Sequence, residues 1–297
     1  MFPMSSPIIL IANPIAKRAS ERKIRKAVEL LNSSGREVKV FLTGKRGDAE
    51  EMAREAAESG PSLIIASGGD GTFNEVMNGI VDTGAPMAIL PMGTTNVLAK
   101  ELDVPETIEG AIGVALRMNV HIVSVGKIDF LSDSAPATRH FFLMAGIGFD
   151  GETVRSVSSA LKKCSGKGAY ILGGVKTLMK YCPEPLAFTL DGKRYTGYSG
   201  IIGKASKYGG NFKVTPDARL GNPDLYVFVM HGNKQVDLVR YTFGVLTGRH
   251  LGFKDITYSR AYSIDVEGSA SIQIDGDYVG RTPARITVAP DSLRLIY

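Results

Sequence analysis

Tryptophan is absent from the 297 residues, and cysteine is limited to Cys164 and Cys182. Neither cysteine sits in a C-x-x-C or other metal-ligand spacing, which excludes a disulfide framework and a thiolate metal site, and a reducing cytosol is the expected setting. Long hydrophobic runs are also missing. The longest, Ile8 to Ala12 and Phe141 to Phe149, fall well short of the ~18 residues that cross a bilayer, so no transmembrane helix is expected. Met1 to Ser6 lacks the basic region and apolar stretch of a secretory signal. The four histidines, His121, His140, His231 and His250, share no ligand spacing, and no Ser-His-Asp arrangement suggests itself. Neither charge sign dominates. The 35 Lys and Arg against 30 Asp and Glu leave +5 and a pI near 9.1, and with no recognised motif beside it this mild basicity gives no support for nucleic-acid binding.

Glycine, by contrast, is in surplus. Its 34 residues exceed the usual share of about 7% and gather in short loops, where close backbone approach is useful. With 44% hydrophobic and 22% charged residues the chain is ordinary globular material, long enough for two domains of about 150 residues each.

The first part alternates strand-like and helix-like runs. Pro7 to Ala12, Val38 to Thr43, Ser62 to Ser67 and Met87 to Leu90 read as strands. Between them lie a helix from Ser20 to Ser34, capped by Ser20 and Gly35, a helix from Asp48 to Glu58 with Asp48 and Glu51 resembling a capping box, and a helix with an apolar face of Phe73, Val76, Met77 and Ile80. This order predicts an open α/β domain over residues 1–126, with ligand loops at the C-terminal ends of the strands and room for a last strand around 290–297 to return to it. From 127 to 289 strand-like alternation dominates, with runs at Phe141 to Ala145, Leu186 to Leu190, Tyr195 to Ile202, Leu225 to Met230 and four more between Tyr262 and Tyr297. Two helical segments, Ser159 to Tyr181 and Lys234 to Thr247, interrupt it. The expected fold class is therefore α/β followed by a mostly antiparallel, β-sandwich-like domain.

After the third strand runs Gly68-Gly69-Asp70-Gly71-Thr72-Phe73-Asn74-Glu75. Three glycines allow the main chain to close on an anion, and the helix that follows presents free N–H groups and a positive dipole end. Asp70 would repel phosphates unless Mg²⁺ intervenes or the carboxylate orients a catalytic group, so phosphoryl transfer is the natural reading. Neither G-x-x-x-x-G-K-[ST] nor G-x-G-x-x-G occurs in this loop. A second polar turn, Pro91-Met92-Gly93-Thr94-Thr95-Asn96, follows the fourth strand.

The string GGDGTFNEVMNG followed by PMGTTN, with Asn13-Pro14 after the first strand, resembles the diacylglycerol-kinase-type lipid kinases, a group of soluble bacterial enzymes whose catalytic domain is shared with sphingosine and ceramide kinases. The resemblance spans nearly the whole chain. GGDGT alone also occurs in NAD kinases; the Asn74-Glu75 continuation and PMGTTN favour lipid kinases. The resemblance implies an N-terminal ATP-binding domain and a C-terminal lipid-substrate domain. It places nucleotide contacts at Asn13, Pro14, Thr43, Ser67, Gly68, Gly69, Asp70, Gly71, Thr72, Phe73 and Thr94, with Asp70 as a catalytic and Mg²⁺ residue. Lys17 stands where the family often has glycine, and pairing with a phosphate and a solvated basic loop both stay open for Lys17 and Arg18.

The resemblance also implies Asp277 as the base that takes the proton from the lipid hydroxyl, where many relatives carry glutamate. Read locally, Asp275-Gly276 is equally a hairpin turn with Asp277 facing water. A second, structural Mg²⁺ is implied near Gly221-Asn222-Pro223-Asp224; Asn222 replaces the family's aspartate, and Asp224 is the candidate that compensates. Lys162, Lys163, Lys167, Lys176 and Lys180, interleaved with apolar residues between Leu161 and Tyr181, read either as a surface for an anionic membrane or as a core-facing helix with solvated lysines. The expected protein is thus a cytoplasmic, peripherally membrane-associated kinase that uses ATP and Mg²⁺ in phospholipid biosynthesis. Its default acceptor is diacylglycerol, and a homodimer is admitted. The competing readings are a kinase of a soluble acceptor such as NAD and a non-catalytic nucleotide- or lipid-sensing protein.

Overall fold

The computed structural model describes residues 6–133, 135–161 and 182–297, with the side chains of 157–161 left aside. The predicted helix Ser159 to Tyr181, with its lysines, falls almost wholly outside the described residues. The chain divides into two compact units.

The first unit comprises residues 1–125, 209–211 and 289–297. Its strands are β1 (Ile8–Ala12), β2 (Val38–Leu42), β3 (Leu63–Gly68), β4 (Pro86–Pro91) and the end of a long last strand, β17 (Asp277–Ile296). They lie parallel in the order β17-β4-β3-β1-β2. β1, β3 and β4 are buried along their whole length, as central parallel strands covered on both faces must be, whereas β2 at the edge is mostly exposed. Helix α1 (Glu21–Asn32) buries Ile24, Ala27 and Leu31, and Ser20 caps it by accepting from the Lys23 N–H at 3.3 Å. Helix α2 (Asp48–Glu58) starts differently from the predicted capping box. Its N-cap is Gly47, and Asp48 turns back to accept from the Gly44 and Lys45 amides at 2.7 and 2.9 Å. Helices α3 (Asp70–Ile80), α4 (Val97–Glu101) and α5 (Ile108–Arg117) complete the unit.

The second unit comprises residues 126–208 and 212–288. It contains most of β5 (Val120–Ser132), then β6 (Ala135–Phe141), β7 (Met144–Ile147), helix α6 (Phe149–Leu161) and the strands β8 (Leu186–Leu190), β9 (Lys193–Gly197), β10 (Ser199–Gly203), β11 (Lys207–Tyr208), β12 (Phe212–Lys213) and β13 (Leu225–Met230). Helix α7 (Gln235–Thr247) and strands β14 (Ile256–Ala261), β15 (Ser263–Glu267), β16 (Ser271–Ile274) and the first part of β17 follow. One antiparallel run is ordered β14-β13-β10-β7-β16-β17; β17 also pairs β15, which pairs β8 and through it β9. Phe141, Phe188, Ile202, Val227, Ile264 and Ile286 lie in one continuous apolar core. Two runs read as single strands are broken. Phe141 to Ala145 divides because the Phe142 and Leu143 amides leave the ladder for a side-chain acceptor described below, and Tyr195 to Ile202 divides at Tyr198.

Candidate active site

Three neighbouring parallel strands, β1, β3 and β4, end together, and the chain leaving them builds the candidate site of the first unit. After β1 the Asn13 amide donates to the Ser67 carbonyl at 2.9 Å, and Asn13 Nδ2 lies 3.4 Å from Thr72 Oγ1. Next door, the Met92 amide donates to the Gly68 carbonyl at 2.6 Å. The two turns are in main-chain contact, because a Cβ built on Gly93 would sit 2.6 Å from Gly69 Cα and 2.6 Å from Asn96 Oδ1. Larger side chains at 69 and 93 would wedge these turns apart. Gly69 is also the N-cap of α3 and supplies no capping side chain, so the first turn of that helix keeps its positive end uncapped by any residue of its own loop.

These contacts bring Asn13, Ser67, Gly68, Gly69, Asp70, Gly71 and Thr72 together beside the turn that carries an exposed Thr94. Pro14 is exposed on the β1 loop, and the amide of the buried Thr43 donates to the Ala12 carbonyl at 3.0 Å, one residue before Asn13. Phe73 needs a correction. Its side chain is fully buried in the core and its amide is spent on the Gly69 carbonyl at 3.0 Å, so it presents neither to a ligand.

Asp70 is used in a way the motif does not announce. Its two carboxylate oxygens accept the Val97 and Leu98 amides, each at 3.0 Å. Asn96, the N-cap of α4, is left-handed at φ 48° and offers no cap itself, so Asp70 caps that helix from the neighbouring loop. Burial pushes the Asp70 carboxyl up, against the opposing pull of the two amides and Lys100. Each oxygen holds one amide, so Asp70, expected to organise Mg²⁺ or the transferring phosphate, also joins the two phosphate-sized turns. Among the described residues no group of three or more His, Cys, Asp or Glu side chains is arranged to hold a metal. This donor set fits a Mg²⁺ ion carried in on nucleotide phosphates, which needs few protein carboxylates.

In the second unit, Asp275 and Gly276 form a tight turn between β16 and β17 with φ of 47° and 93°, values that suit a two-residue hairpin. The Asp275 carboxylate accepts three successive amides, Phe142 at 2.8 Å, Leu143 at 2.8 Å and Met144 at 3.1 Å. The turn is thereby fixed to the corner between β6 and β7. Asp277, the candidate base, is the first residue of β17, half-buried and paired in register with Ile274.

Sequence reasoning missed the group behind this turn. Asp150, at the start of α6, accepts from Gln273 Nε2 at 2.7 Å and from the Tyr208 hydroxyl, while Gln273 Oε1 accepts the Gly276 amide at 2.7 Å. A continuous chain of donors thus runs from the Asp150 carboxylate to the residue before Asp277. Burial pushes the Asp150 carboxyl up, the bonds from Tyr208 and Gln273 opposing it. A Cβ on Gly146 would overlap Asp150 Oδ2. The available signal was Gly146-Ile147-Gly148-Phe149-Asp150-Gly151, a glycine-rich corner opening a helix and comparable in kind with the first loop.

The metal role expected for Asp224 is not supported. Its Oδ2 pairs with Arg260 Nε at 2.6 Å, and the nearby Lys204 ammonium donates to the carbonyls of Arg219, Leu220 and Asn222 at 2.7, 3.0 and 2.8 Å. Burial pushes the Lys204 pKa down to about 8, and Asp224 opposes that shift. Carbonyls that could have faced a hard cation therefore already hold an ammonium, and a divalent ion at Asp224 would meet two positive side chains.

Comparison with known proteins concerns the family and the fold. Residues 7–128 match the family model described as diacylglycerol kinase catalytic domain, and residues 144–297 match the YegS C-terminal NAD kinase beta sandwich-like domain. The chain is 29% identical over 282 residues to a diacylglycerol kinase of Bacillus subtilis (strain 168), covering 92% of this chain and 90% of that one. A crystal structure of a putative diacylglycerol kinase from Bacillus anthracis superposes with a TM-score of 0.78 at 25% identity, over 98% of this chain and 97% of that one. Yeast NADH kinase, solved with NADH, shares the fold more distantly, with a TM-score of 0.53 at 12% identity over 99% of this chain and 84% of that one.

Proposed function

This chain belongs to the diacylglycerol kinase catalytic-domain family, with a second unit of the YegS C-terminal type, and we propose that it transfers the γ-phosphate of ATP to the free hydroxyl of diacylglycerol. An ATP-dependent lipid kinase is the activity that this membership carries. The supporting observation is the main-chain contact between the Gly69 and Gly93 turns beside the uncapped start of α3, a surface of backbone and dipole suited to phosphates. Asn13, Gly68, Gly69, Gly71, Thr72 and Thr94 hold the nucleotide in this reading, and the magnesium ion enters with ATP as part of the substrate.

In the transfer, the acceptor oxygen bonds to Pγ as the bond from Pγ to the β-bridging oxygen breaks, ADP leaves, and the hydroxyl proton passes to Asp277. Asp150, Gln273 and Asp275 set the position of the turn before Asp277. The test offers labelled ATP with diacylglycerol in mixed micelles and, separately, with NAD, the acceptor favoured by the NAD-kinase likeness of the second unit. Label in phosphatidic acid, lost by at least 10³-fold in Asp277→Ala and largely kept in Asp277→Glu, is the expected result. Label in NADP alone, or undiminished turnover of Asp277→Ala, overturns the reading.

A further inference from the structure

Helix α7 is apolar on two opposite faces. One face, with Leu238, Tyr241 and Gly244, is buried against its own unit. The other carries Val236, Val239, Phe243 and Leu246, which are 66%, 52%, 65% and 51% exposed. Their spacing of three and four residues sets them in one stripe along nearly three turns. A single exposed leucine needs no explanation, but a continuous stripe opposite the packed face marks a surface that something covers.

The surrounding charge identifies the class of occupant. Exposed Lys234 stands at the N-cap and exposed Arg249 follows the C-cap Gly248. Strand β12, which packs against the helix, adds exposed Phe212 and Lys213. From Leu238 to Lys254 there is no acidic residue, while Arg249 and Lys254, both exposed, fall in that stretch; Arg240 there is taken up by Asp237 and Asp255. The flanking acids are already engaged: Asp237 with the Lys234 amide and Arg240, Asp255 with Arg240 and the Tyr241 hydroxyl. An apolar stripe fringed by cations is the pattern of a helix lying in the head-group region of an anionic bilayer. A second copy of the chain fits less well. The four side chains expose on the order of 400 Å², about half of the roughly 800 Å² that each partner contributes to a stable protein interface, and two such surfaces would bring like charges together.

We infer that the outer face of α7, Val236, Val239, Phe243 and Leu246 with their lysine and arginine fringe, is the surface by which this protein docks on anionic membrane. The inference rests on the lipid-kinase reading for its purpose, and its test stands apart from that reading. Full-length protein and the double variant Val239→Asp/Phe243→Asp are sedimented with vesicles of phosphatidylcholine alone and of phosphatidylcholine with 30% phosphatidylglycerol, at low and high salt. Each protein is also assayed on diacylglycerol dispersed in detergent micelles and weighed by analytical ultracentrifugation. The parent should bind the anionic vesicles in a salt-sensitive way, and the variant at least tenfold more weakly, with micelle turnover and mass unchanged. Equal vesicle binding by the two proteins overturns the inference, as does a parent dimer that the variant dissolves, which would make a second copy the occupant. Absence of micelle turnover in the parent counts against the kinase reading alone, because sedimentation still decides the role of the helix.

Discussion

Two carboxylates, Asp70 and Asp150, are pushed toward protonation by burial, yet their donors differ in kind. Asp70 takes main-chain amides that cannot turn away. Replacing it with asparagine leaves one oxygen for two donors, so Asp70→Asn should lose about 1–3 kcal/mol, read as a lower urea midpoint, together with most of the turnover. Asp150 takes side-chain donors, and the Tyr208 hydroxyl can reverse to accept from an asparagine amide while Gln273 still donates to its oxygen. Asp150→Asn should therefore fold. The sign of its pH effect follows from the raised native pKa. A carboxyl that binds its proton more tightly when folded adds stability below the ordinary carboxylate range, and that contribution is lost as pH rises through the raised value. The melting temperature of the parent should accordingly fall across that window, while that of Asp150→Asn stays flatter and overtakes it at neutral pH. Parallel melting curves from pH 4 to 8 would refute the assignment.

At the level of elements, the hairpin between β16 and β17 depends on an acceptor rather than on its strands alone. Asp275→Ala would strip a charged acceptor from three amides, Phe142 to Met144, and is expected to cost about 2–4 kcal/mol and to lower transfer by loosening the turn before Asp277. Urea denaturation beside the micelle assay checks both. Lys204→Met should likewise leave three carbonyls without their cation, lowering the melting temperature by several degrees in calorimetry. Elements whose burial is periodic were legible from residue order: α1 from Ile24, Ala27 and Leu31, β8 and β13 from their apolar runs, and the α/β-then-β class from their succession. What stayed hidden was set by side chains acting at long range. Asp275 breaks the Phe141 to Ala145 run from more than 130 positions away, Asp70 caps α4 across 27 residues, and Gln273 links Asp150 to Gly276. A lone Asp or Gln carries no periodicity, so local pattern cannot say which amide it will meet. The glycine loop was legible because close backbone approach demands glycine at several positions at once.

For the molecule as a whole, the end of the chain is structural material of the first unit. Residues 289–297 belong to it, with Arg294 and Leu295 paired in parallel to Pro86 and Met87 of β4. The Asp82 amide donates to the Ser292 carbonyl at 2.9 Å, and Tyr297 stacks on His121 with ring centroids 4.1 Å apart. Leu293, Leu295 and Ile296 are buried there. Each buried side chain is worth about 2 kcal/mol, and together they rival the 5–15 kcal/mol that separates a folded domain from its unfolded chain. Without this strand, β4 becomes an open, apolar edge, a template for aggregation. Residues 1–128, which contain the whole stretch matched as the catalytic domain, should therefore fail to unfold cooperatively in urea and should aggregate when concentrated. Appending 289–297 through a flexible glycine-serine linker long enough to reach β4 should restore a single transition. If 1–128 already unfolds in one sharp step at the midpoint of the repaired chain, the last strand is dispensable and the catalytic unit is autonomous.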